Sequence, residues 1–153
     1  MSFRIPQNLD ELAAALREKD ENTYLCAGGT DLVIHLRKEK KFHYSLIDLT
    51  HLPELSQITE TEDSVIIGAG VTMTELEQSP LVRTWIPALS KAASMVGSTQ
   101  IRNRATLGGN VANASQSSDT TPVLLAYGAE AEILDGTGAV TKRLVDDFVE
   151  GLE

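Results

Sequence analysis

The chain has 153 residues, 42% of them hydrophobic, which is enough to bury the core of one globular domain or of two small lobes that share a cleft. Asp and Glu number 22 against 13 Lys and Arg, so the formal net charge is −9 at pH 7. Such an acidic surface excludes a general nucleic-acid binder, and it also argues against docking on anionic lipid. Cys26 is the only cysteine, which excludes an internal disulfide and a multi-cysteine metal or iron–sulfur site.

The apolar runs are only a few residues long, so the sequence predicts no transmembrane helix and no membrane insertion. Met1 is followed by Pro6 and polar residues rather than by an apolar segment, so no secretory signal is expected. Together with the lone cysteine, these features favour a location in a reducing cytoplasm. The short basic run at 37–41 contains a Glu and is expected to be a solvated helix end or loop, or else a contact with a partner subunit.

The first third of the chain has the pattern of a small α/β lobe. Asn8 precedes apolar residues at helical spacing, with Glu11 in the capping-box position, and so predicts a helix. The pair Gly28-Gly29 separates an apolar run from the next helical pattern, which Thr30 or Asp31 is expected to cap. The predicted elements are a helix at 8–18, a strand at 23–27, a helix from 32 and a strand at 46–49.

The remainder of the chain predicts short strands and helices in alternation. The predicted elements are a strand at 64–70, a short helix from Thr72 or Thr74 through Leu76, a longer helix over 80–96, a loop over 106–119, a helix from Pro122, and strands at 129–134 and 139–144. Gly97 is expected to end the longer helix. The two last strands are joined by the turn sequence Asp135-Gly136-Thr137-Gly138, which is typical of a hairpin.

Two glycine pairs, Gly28-Gly29 and Gly108-Gly109, follow or interrupt apolar runs and are flanked by Thr. Because glycine lacks a Cβ, its backbone can approach another group closely, and successive N–H groups in such turns form concave sites that suit phosphate or pyrophosphate. Each pair alone is more often a plain connector between elements. The chain lacks the Gly-x-Gly-x-x-Gly pattern of dinucleotide folds and the Gly-Lys-Ser/Thr of an NTPase loop. A pyrophosphate site here is therefore expected to be neutral and built from backbone groups.

Three segments carry a resemblance to a known family: AGGTDL at 27–32, QIRNRATLGGNVANAS at 100–115 and SD at 118–119. In this order and at this separation they resemble the FAD-binding (medium) subunit of the molybdenum hydroxylase family, the xanthine dehydrogenase and carbon monoxide dehydrogenase type. The likeness extends over nearly the whole chain, including LIDLTHLPEL at 46–55 and IPALSKAA at 86–93. Members of this family usually continue beyond the point where this sequence stops, so the chain is expected to be truncated before the C-terminal domain.

The resemblance implies an α+β fold, that of the FAD-binding domain of the p-cresol methylhydroxylase type with two α/β lobes. We expect a small FAD-binding lobe over 1–55 and a larger lobe over 56–153, incomplete at its C-terminus, with FAD extended between them. The cofactor-binding residues that the resemblance implies are Leu25, Ala27, Gly28, Gly29, Thr30, Asp31, Leu32, Gly97, Ile101, Thr106, Gly108, Gly109, Asn110, Asn113 and Asp119.

The same resemblance implies a role for each group of these residues. The first loop would cradle the pyrophosphate through backbone N–H groups, and the second motif would lie around the phosphates and the ribityl chain. Asp119 would contact the adenosine ribose, because a carboxylate accepts hydrogen bonds from sugar hydroxyls. Gly97 and Ile101 would line the cofactor cleft.

The function implied is that of a flavoprotein subunit of a multi-subunit molybdenum hydroxylase. Electrons would pass from iron–sulfur clusters through FAD to NAD⁺ or another acceptor, with an iron–sulfur subunit and a large molybdenum subunit as partners. The molybdenum–pterin centre and the [2Fe–2S] clusters would lie on those partners. The redox chemistry would belong to the flavin, so no catalytic acid or base is assigned within this chain. Two alternatives stay open: a stand-alone FAD-dependent oxidoreductase of the same fold, and a fragment that no longer binds FAD.

The remaining reactive side chains favour structural roles. The three histidines are spread without metal-ligand spacing, so no metal site is expected. Cys26 lies in an apolar run and is expected to be a small buried hydrophobe. Arg102 and Arg104 flank the second glycine motif, and they are expected either to form salt bridges on the loop surface or to contact the FAD phosphates or a partner subunit.

Overall fold

The computed structural model describes residues 2–149 of the chain. Within that range the strands are β1 Phe3–Arg4, β2 Thr23–Cys26, β3 Ser45–Asp48, β4 Ile58–Glu60, β5 Val65–Ile67, β6 Glu130–Leu134 and β7 Val140–Leu144. The helices are α1 Leu9–Arg17, α2 Leu32–Lys38, α3 Met73–Gln78, α4 Pro80–Trp85, α5 Pro87–Met95, α6 Thr99–Arg102, α7 Leu107–Asn113, α8 Thr121–Ala126 and α9 Asp146–Val149, with a short 3-10 helix at Pro53–Leu55. Of the helices within residues 2–149, none has the length and apolar character needed to cross a membrane.

A small parallel sheet lies at the start of the chain, where the expected strands are confirmed. Its strand order is β1-β3-β2, and Cys26 of β2 is aligned with Asp48 of β3. The first helix begins at its expected cap, because Oδ1 of Asn8 accepts a hydrogen bond from the N–H of Glu11 at 2.9 Å. The carboxylate of Glu11 accepts from the N–H of Gln7 at 2.8 Å rather than from the backbone of the cap residue. Only half of the predicted capping box therefore forms.

Apolar side chains of α1 pack against this sheet. The buried members of the cluster are Leu12, Ala15, Ile47 and Leu52. Leu134 of the β6–β7 hairpin packs against the same cluster, and Nε of Arg17 donates a hydrogen bond to the carbonyl oxygen of Gly136 at 3.0 Å. The hairpin thus joins the small sheet from far along the chain. The division into lobes at 1–55 and 56–153 stays a prediction.

A second core is formed by the short helices in the middle of the chain. Its buried members are Val71, Met73, Leu76, Val82, Leu89, Ala93, Ala105 and Leu107. The helix α3 begins at Thr72, one of its two expected caps, with a complete capping box. The N–H of Thr72 donates to the carboxylate of Glu75 at 2.7 Å, and the N–H of Glu75 donates back to Oγ1 of Thr72 at 3.2 Å.

The single helix expected over 80–96 is in fact two helices, α4 and α5. Ile86 between them has φ −134° and ψ 56°, outside the helical region. Pro87 forces this break, because the residue before a proline disfavours the α conformation and proline has no N–H to donate to the preceding turn. Gly97 follows the second helix with φ +47°.

The loop expected over 106–119 contains a helix, α7, so that prediction is wrong for half of the stretch. Oγ1 of Thr106 accepts a hydrogen bond from the N–H of Gly109 at 3.1 Å and caps the helix. Two glycines disfavour a helix interior on propensity. Gly108 is nevertheless required there, because a Cβ on it would lie 2.7 Å from the Cβ of Ala69. Close packing of the backbone selects a helix where local propensity indicated a loop.

The strands β6 and β7 form the predicted antiparallel hairpin, with Leu134 paired with Val140. In its turn, the carboxylate of Asp135 accepts hydrogen bonds from the hydroxyl and the backbone N–H of Thr137 at 2.6 and 2.8 Å. These bonds favour the ionised form, and they hold the pKa of Asp135 below its usual value.

Candidate cofactor site

The two glycine motifs of the sequence lie against each other in the fold. A Cβ on Gly28 would overlap the carbonyl oxygen of Arg104 and lie 2.7 Å from its carbonyl carbon and 3.1 Å from the Cα of Ala105. Nε of Arg104 donates a hydrogen bond to the carbonyl oxygen of Gly28 at 3.2 Å, across 76 positions of sequence. Glycine is therefore required at position 28, and the contact brings the first loop to the start of α7.

The first loop, residues 27–31, presents backbone N–H groups that are left without an acceptor by residues 2–149. Gly29 has a left-handed conformation with φ +72°, which glycine adopts without steric cost. Within the part of the chain that the structure describes, the N–H groups of Gly28, Gly29 and Thr30 have no acceptor. Asp31 stands at the expected cap position, but its carboxylate accepts from the hydroxyl of Thr30 at 3.3 Å instead of capping α2. Adjacent unpaired N–H groups in a turn suit an anion.

The second motif has its own N–H groups paired. The N–H of Gly108 donates to the carbonyl oxygen of Ala69 at 2.8 Å, and that of Gly109 donates to Oγ1 of the buried Thr106. Gly109 is exposed, and a Cβ on it would lie 2.9 Å from that Oγ1, which is closer than real side chains pack. This motif therefore offers a surface that another group can approach closely, rather than free backbone donors.

A small polar network joins α7 to the segment before α8. Oδ1 of Asn110 accepts hydrogen bonds from the hydroxyls of Ser118 and Thr120, each at 2.6 Å. Both hydroxyls donate to Oδ1, so they occupy only the oxygen of the Asn110 amide. Its nitrogen has no acceptor within residues 2–149 and is available to donate to another molecule. Asp119 lies between the two hydroxyl residues with its side chain exposed. Neither hydroxyl residue was expected at the site: Ser118 belongs to the SD segment at 118–119 but had no role assigned, and the only signal for Thr120 was its position next to Asp119.

The other residues expected at the site lie beside this contact. Leu25 is 43% exposed on β2, which is an edge strand. Ile101 is 37% exposed, and its Cγ2 would lie 3.1 Å from a Cβ placed on Gly97. The half-buried members of the set are Ala27, Leu32 and Asn113. Their contacts with a cofactor stay predictions.

The two arginines of the second motif have different partners. Arg102 forms the expected salt bridge, with Nε at 3.7 Å from the carboxylate of Glu77, and its guanidinium also donates to the carbonyl oxygen of Val96 at 3.2 Å. Arg104 has no carboxylate partner among residues 2–149, and it bonds the backbone of the first loop instead. The guanidinium of Arg104 thus belongs to the contact between the motifs.

Cys26 lies beside the first loop, where a Cβ on Gly29 would be 3.4 Å from its sulfur. Burial raises the pKa of the Cys26 thiol, the carboxylate of Asp48 acts in the same direction, and the charge of Arg104 opposes both. The thiol is therefore neutral at pH 7, and the side chain is half-buried rather than fully buried as the sequence predicts. Within residues 2–149 there is no group of three or more His, Cys, Asp or Glu side chains that could hold a metal ion.

Known proteins with similar sequences share one cofactor in their names. A family model described as "FAD binding domain in molybdopterin dehydrogenase" matches residues 1–153. The nicotinate dehydrogenase FAD-subunit of Eubacterium barkeri is 36% identical over 150 residues, which are 97% of this chain and 50% of that protein. The xanthine dehydrogenase FAD-binding subunit of Escherichia coli O157:H7 is 41% identical over 110 residues, which are 71% of this chain and 38% of that protein.

The fold comparison leads to the same family. A structure of carbon monoxide dehydrogenase from Hydrogenophaga pseudoflava superposes with a TM-score of 0.92 and 29% identity, over 99% of this chain and 52% of the matched chain. The expected α+β FAD-binding fold is thereby confirmed. This chain spans about half the length, or less, of the relatives that it matches. It belongs to the family of FAD-binding domains of molybdopterin dehydrogenases.

Proposed function

We propose that the chain binds FAD where the first loop meets the segment 104–110, and that it does so within the flavoprotein subunit of a molybdenum hydroxylase. The observation that carries the proposal is the packing of Gly28 against Arg104, which sets three unpaired N–H groups next to the segment that begins α7. A dinucleotide requires donors for its diphosphate and a backbone that it can approach closely. The first loop supplies the N–H donors, and the exposed Gly109 supplies a backbone without a side chain that the cofactor can approach closely.

The residues present fit this cofactor without a cluster of basic side chains. The N–H groups of Gly28, Gly29 and Thr30 would donate to diphosphate oxygens. The amide nitrogen of Asn110, whose oxygen accepts from two hydroxyls, would donate to a phosphate or to the ribityl chain. The exposed carboxylate of Asp119 would accept hydrogen bonds from the ribose hydroxyls.

The remaining assigned residues would shape the cleft around the cofactor. Gly97 and Ile101 would line it, with Leu25 and Leu32 beside the first loop and Asn113 at the end of α7. In this arrangement FAD would lie between the predicted lobes 1–55 and 56–153. These residues bind and orient the cofactor, and no acid or base among them is assigned a step.

The whole protein is proposed to be an oxidoreductase that works as an assembly. The relatives bear the names of nicotinate, xanthine and carbon monoxide dehydrogenase subunits, which supports an iron–sulfur subunit and a large molybdenum subunit as partners. The bound flavin would supply the redox chemistry, through which electrons would pass from [2Fe–2S] clusters of one partner to NAD⁺ or another acceptor. A location in a reducing cytoplasm, favoured by the lone cysteine, stays a prediction.

Two alternatives have less support. A stand-alone FAD-dependent oxidoreductase would use the same cofactor site, but several of the relatives carry the word subunit in their names, which favours an assembly. A chain that has lost FAD binding would be colourless and would not take up the cofactor. The unpaired N–H groups of the first loop favour retained binding, because adjacent free donors in a turn suit an anion such as a diphosphate.

Titration of the chain with FAD, followed by flavin fluorescence, tests the proposal. We expect saturable binding. Gly109→Val should weaken binding more than Asp119→Ala, because a branched side chain blocks close approach at position 109, whereas loss of the carboxylate removes a single contact. Ala88→Val, at an exposed position of α5, is the control and should bind FAD like the unchanged chain.

Two outcomes would contradict this proposal. A colourless protein that fails to take up added FAD would overturn the function. Equal and unchanged affinity in Gly109→Val and Asp119→Ala would show that the chain binds FAD elsewhere.

A further inference from the structure

We propose that Arg104 is a positioning residue for diphosphate recognition: by holding the carbonyl oxygen of Gly28, it sets the direction in which the N–H of Gly29 points. The inference rests on the proposed FAD site. In this proposal, the side chain of Arg104, which lies outside both glycine pairs, orients the backbone N–H of Gly29.

One peptide group contains both the carbonyl oxygen of Gly28 and the N–H of Gly29. A trans peptide is planar, so the carbonyl oxygen of Gly28 and the N–H of Gly29 point in opposite directions; no peptide bond within residues 2–149 is cis. Nε of Arg104 donates to this carbonyl oxygen at 3.2 Å. The hydrogen bond secures the peptide plane and leaves the N–H of Gly29 facing away from Arg104, with no acceptor in the described part of the chain.

A glycine pair needs such an external support. Glycine has more backbone freedom than any other residue, and Gly29 already lies in the left-handed region at φ +72°. If the shared peptide plane turned over, a carbonyl oxygen would replace the N–H and would repel a phosphate. A hydrogen bond from a charged donor is stronger than one between neutral groups, so the guanidinium is well suited to hold the plane.

The charge of Arg104 also lies close to this loop. It is the one influence that lowers the pKa of the neighbouring Cys26 thiol, against burial and Asp48. Arginine offers more than charge, however, because Nε is part of a rigid planar fork with fixed donor directions. Lysine carries the same charge on a flexible stem without that fixed direction. Comparing arginine with lysine at position 104 therefore distinguishes an effect of hydrogen-bond direction from an effect of positive charge.

The test uses two variants and a matched control in the full chain. Arg104→Lys keeps the charge and removes the Nε donor, and Arg104→Met removes both. Arg17→Lys is the control, because Nε of Arg17 makes the same kind of bond to the carbonyl oxygen of another glycine, Gly136, at 3.0 Å. Each protein is titrated with FAD and with ADP, which carries the diphosphate without the flavin, and its amide NMR spectrum and urea unfolding midpoint are recorded.

We expect affinity for FAD and for ADP to fall about tenfold in both Arg104 variants, because the N–H of Gly29 would no longer be held towards the diphosphate. The amide resonance of Gly29 should shift in both, because it reports on the bond to the preceding carbonyl. The unfolding midpoint should fall only slightly, and by a similar amount in Arg17→Lys, which loses an exposed bond of the same kind. Arg17→Lys should bind both ligands normally.

Other results would overturn the inference. Full affinity in Arg104→Lys would show that charge and not direction matters, and a loss for FAD but not for ADP would place the effect away from the diphosphate. If the unchanged chain and both Arg104 variants all bind FAD normally, the role of Arg104 is rejected while the proposed function stands. An unchanged chain that does not bind FAD would reject the proposed function, and this inference with it.

Discussion

The hydroxyl of Thr120 donates a hydrogen bond of 2.6 Å to Oδ1 of Asn110, from a side chain that has no solvent exposure. Ser118 donates to the same oxygen, so the Asn110 amide is held from two sides. Hydrogen bonds that share one acceptor within a polar network favour one arrangement of its members. This one ties the segment around Asp119 to the helix that carries the second glycine pair.

Replacement of Thr120 by valine should break this network while keeping the shape of the side chain. We expect Thr120→Val to lower the free energy of unfolding by about 1–2 kcal/mol, measured by urea denaturation. FAD affinity should fall as well, because the Asn110 amide loses one of its two restraints. Thr120→Ser keeps the hydroxyl and should retain FAD affinity. Normal binding and stability in Thr120→Val would show that this bond does not orient Asn110.

Gly28→Ala should separate the two motifs. The new Cβ would overlap the carbonyl oxygen of Arg104, a backbone atom that cannot rotate aside. We expect a loss of stability of about 1–3 kcal/mol and a marked loss of FAD affinity. Gly128→Ala is a useful comparison: its φ of +61° is strained for alanine, but a Cβ there meets no atom within 4 Å among residues 2–149. That variant should lose about 1 kcal/mol and keep FAD affinity, and equal affinity in both variants would argue against the contact at position 28.

The middle helices depend on a well-packed core. Leu89 has no exposure and lies in the cluster that joins α3, α5 and α7. We expect Leu89→Ala to lower the free energy of unfolding by about 2–5 kcal/mol, seen as a lower Tm in calorimetry. Leu125→Ala, at a position that is 36% exposed, should cost much less. Equal shifts in Tm would contradict this assignment of the core.

The Cys26 thiol should ionise at higher pH in the folded chain than in the unfolded chain, because burial raises its pKa. The rate of alkylation by iodoacetamide, followed against pH with and without urea, measures both midpoints. Since the folded pKa is the higher one, the contribution of Cys26 to stability is complete below the unfolded pKa and is lost as the pH rises through the folded value. Arg104→Met should raise the folded midpoint further, and equal midpoints with and without urea would contradict burial of the thiol.

Much of the secondary structure could be predicted from the sequence, because its signals are local. Asn8 with the apolar spacing behind it starts α1, and the turn sequence at 135–138 joins the hairpin that the structure contains. The prediction failed where packing or proline overrode periodicity. Pro87 divides a helical pattern into two helices. Close packing of Gly108 on Ala69 requires glycine inside a helix, in a stretch whose composition predicted a loop.

Some features of the candidate site could likewise be predicted from the sequence, and others could not. From the residues alone, the sequence indicated that two glycine pairs could form a neutral, backbone-built anion site, and the resemblance of its motifs indicated the family and a ribose contact for Asp119. Only the tertiary structure decided that Gly28 packs on the backbone of Arg104, that the first loop has the unpaired donors, and that Thr120 restrains Asn110. The physical reason is the range of the forces involved: caps and turns depend on a few neighbouring residues, whereas backbone contacts and shared acceptors arise only when distant segments are packed together.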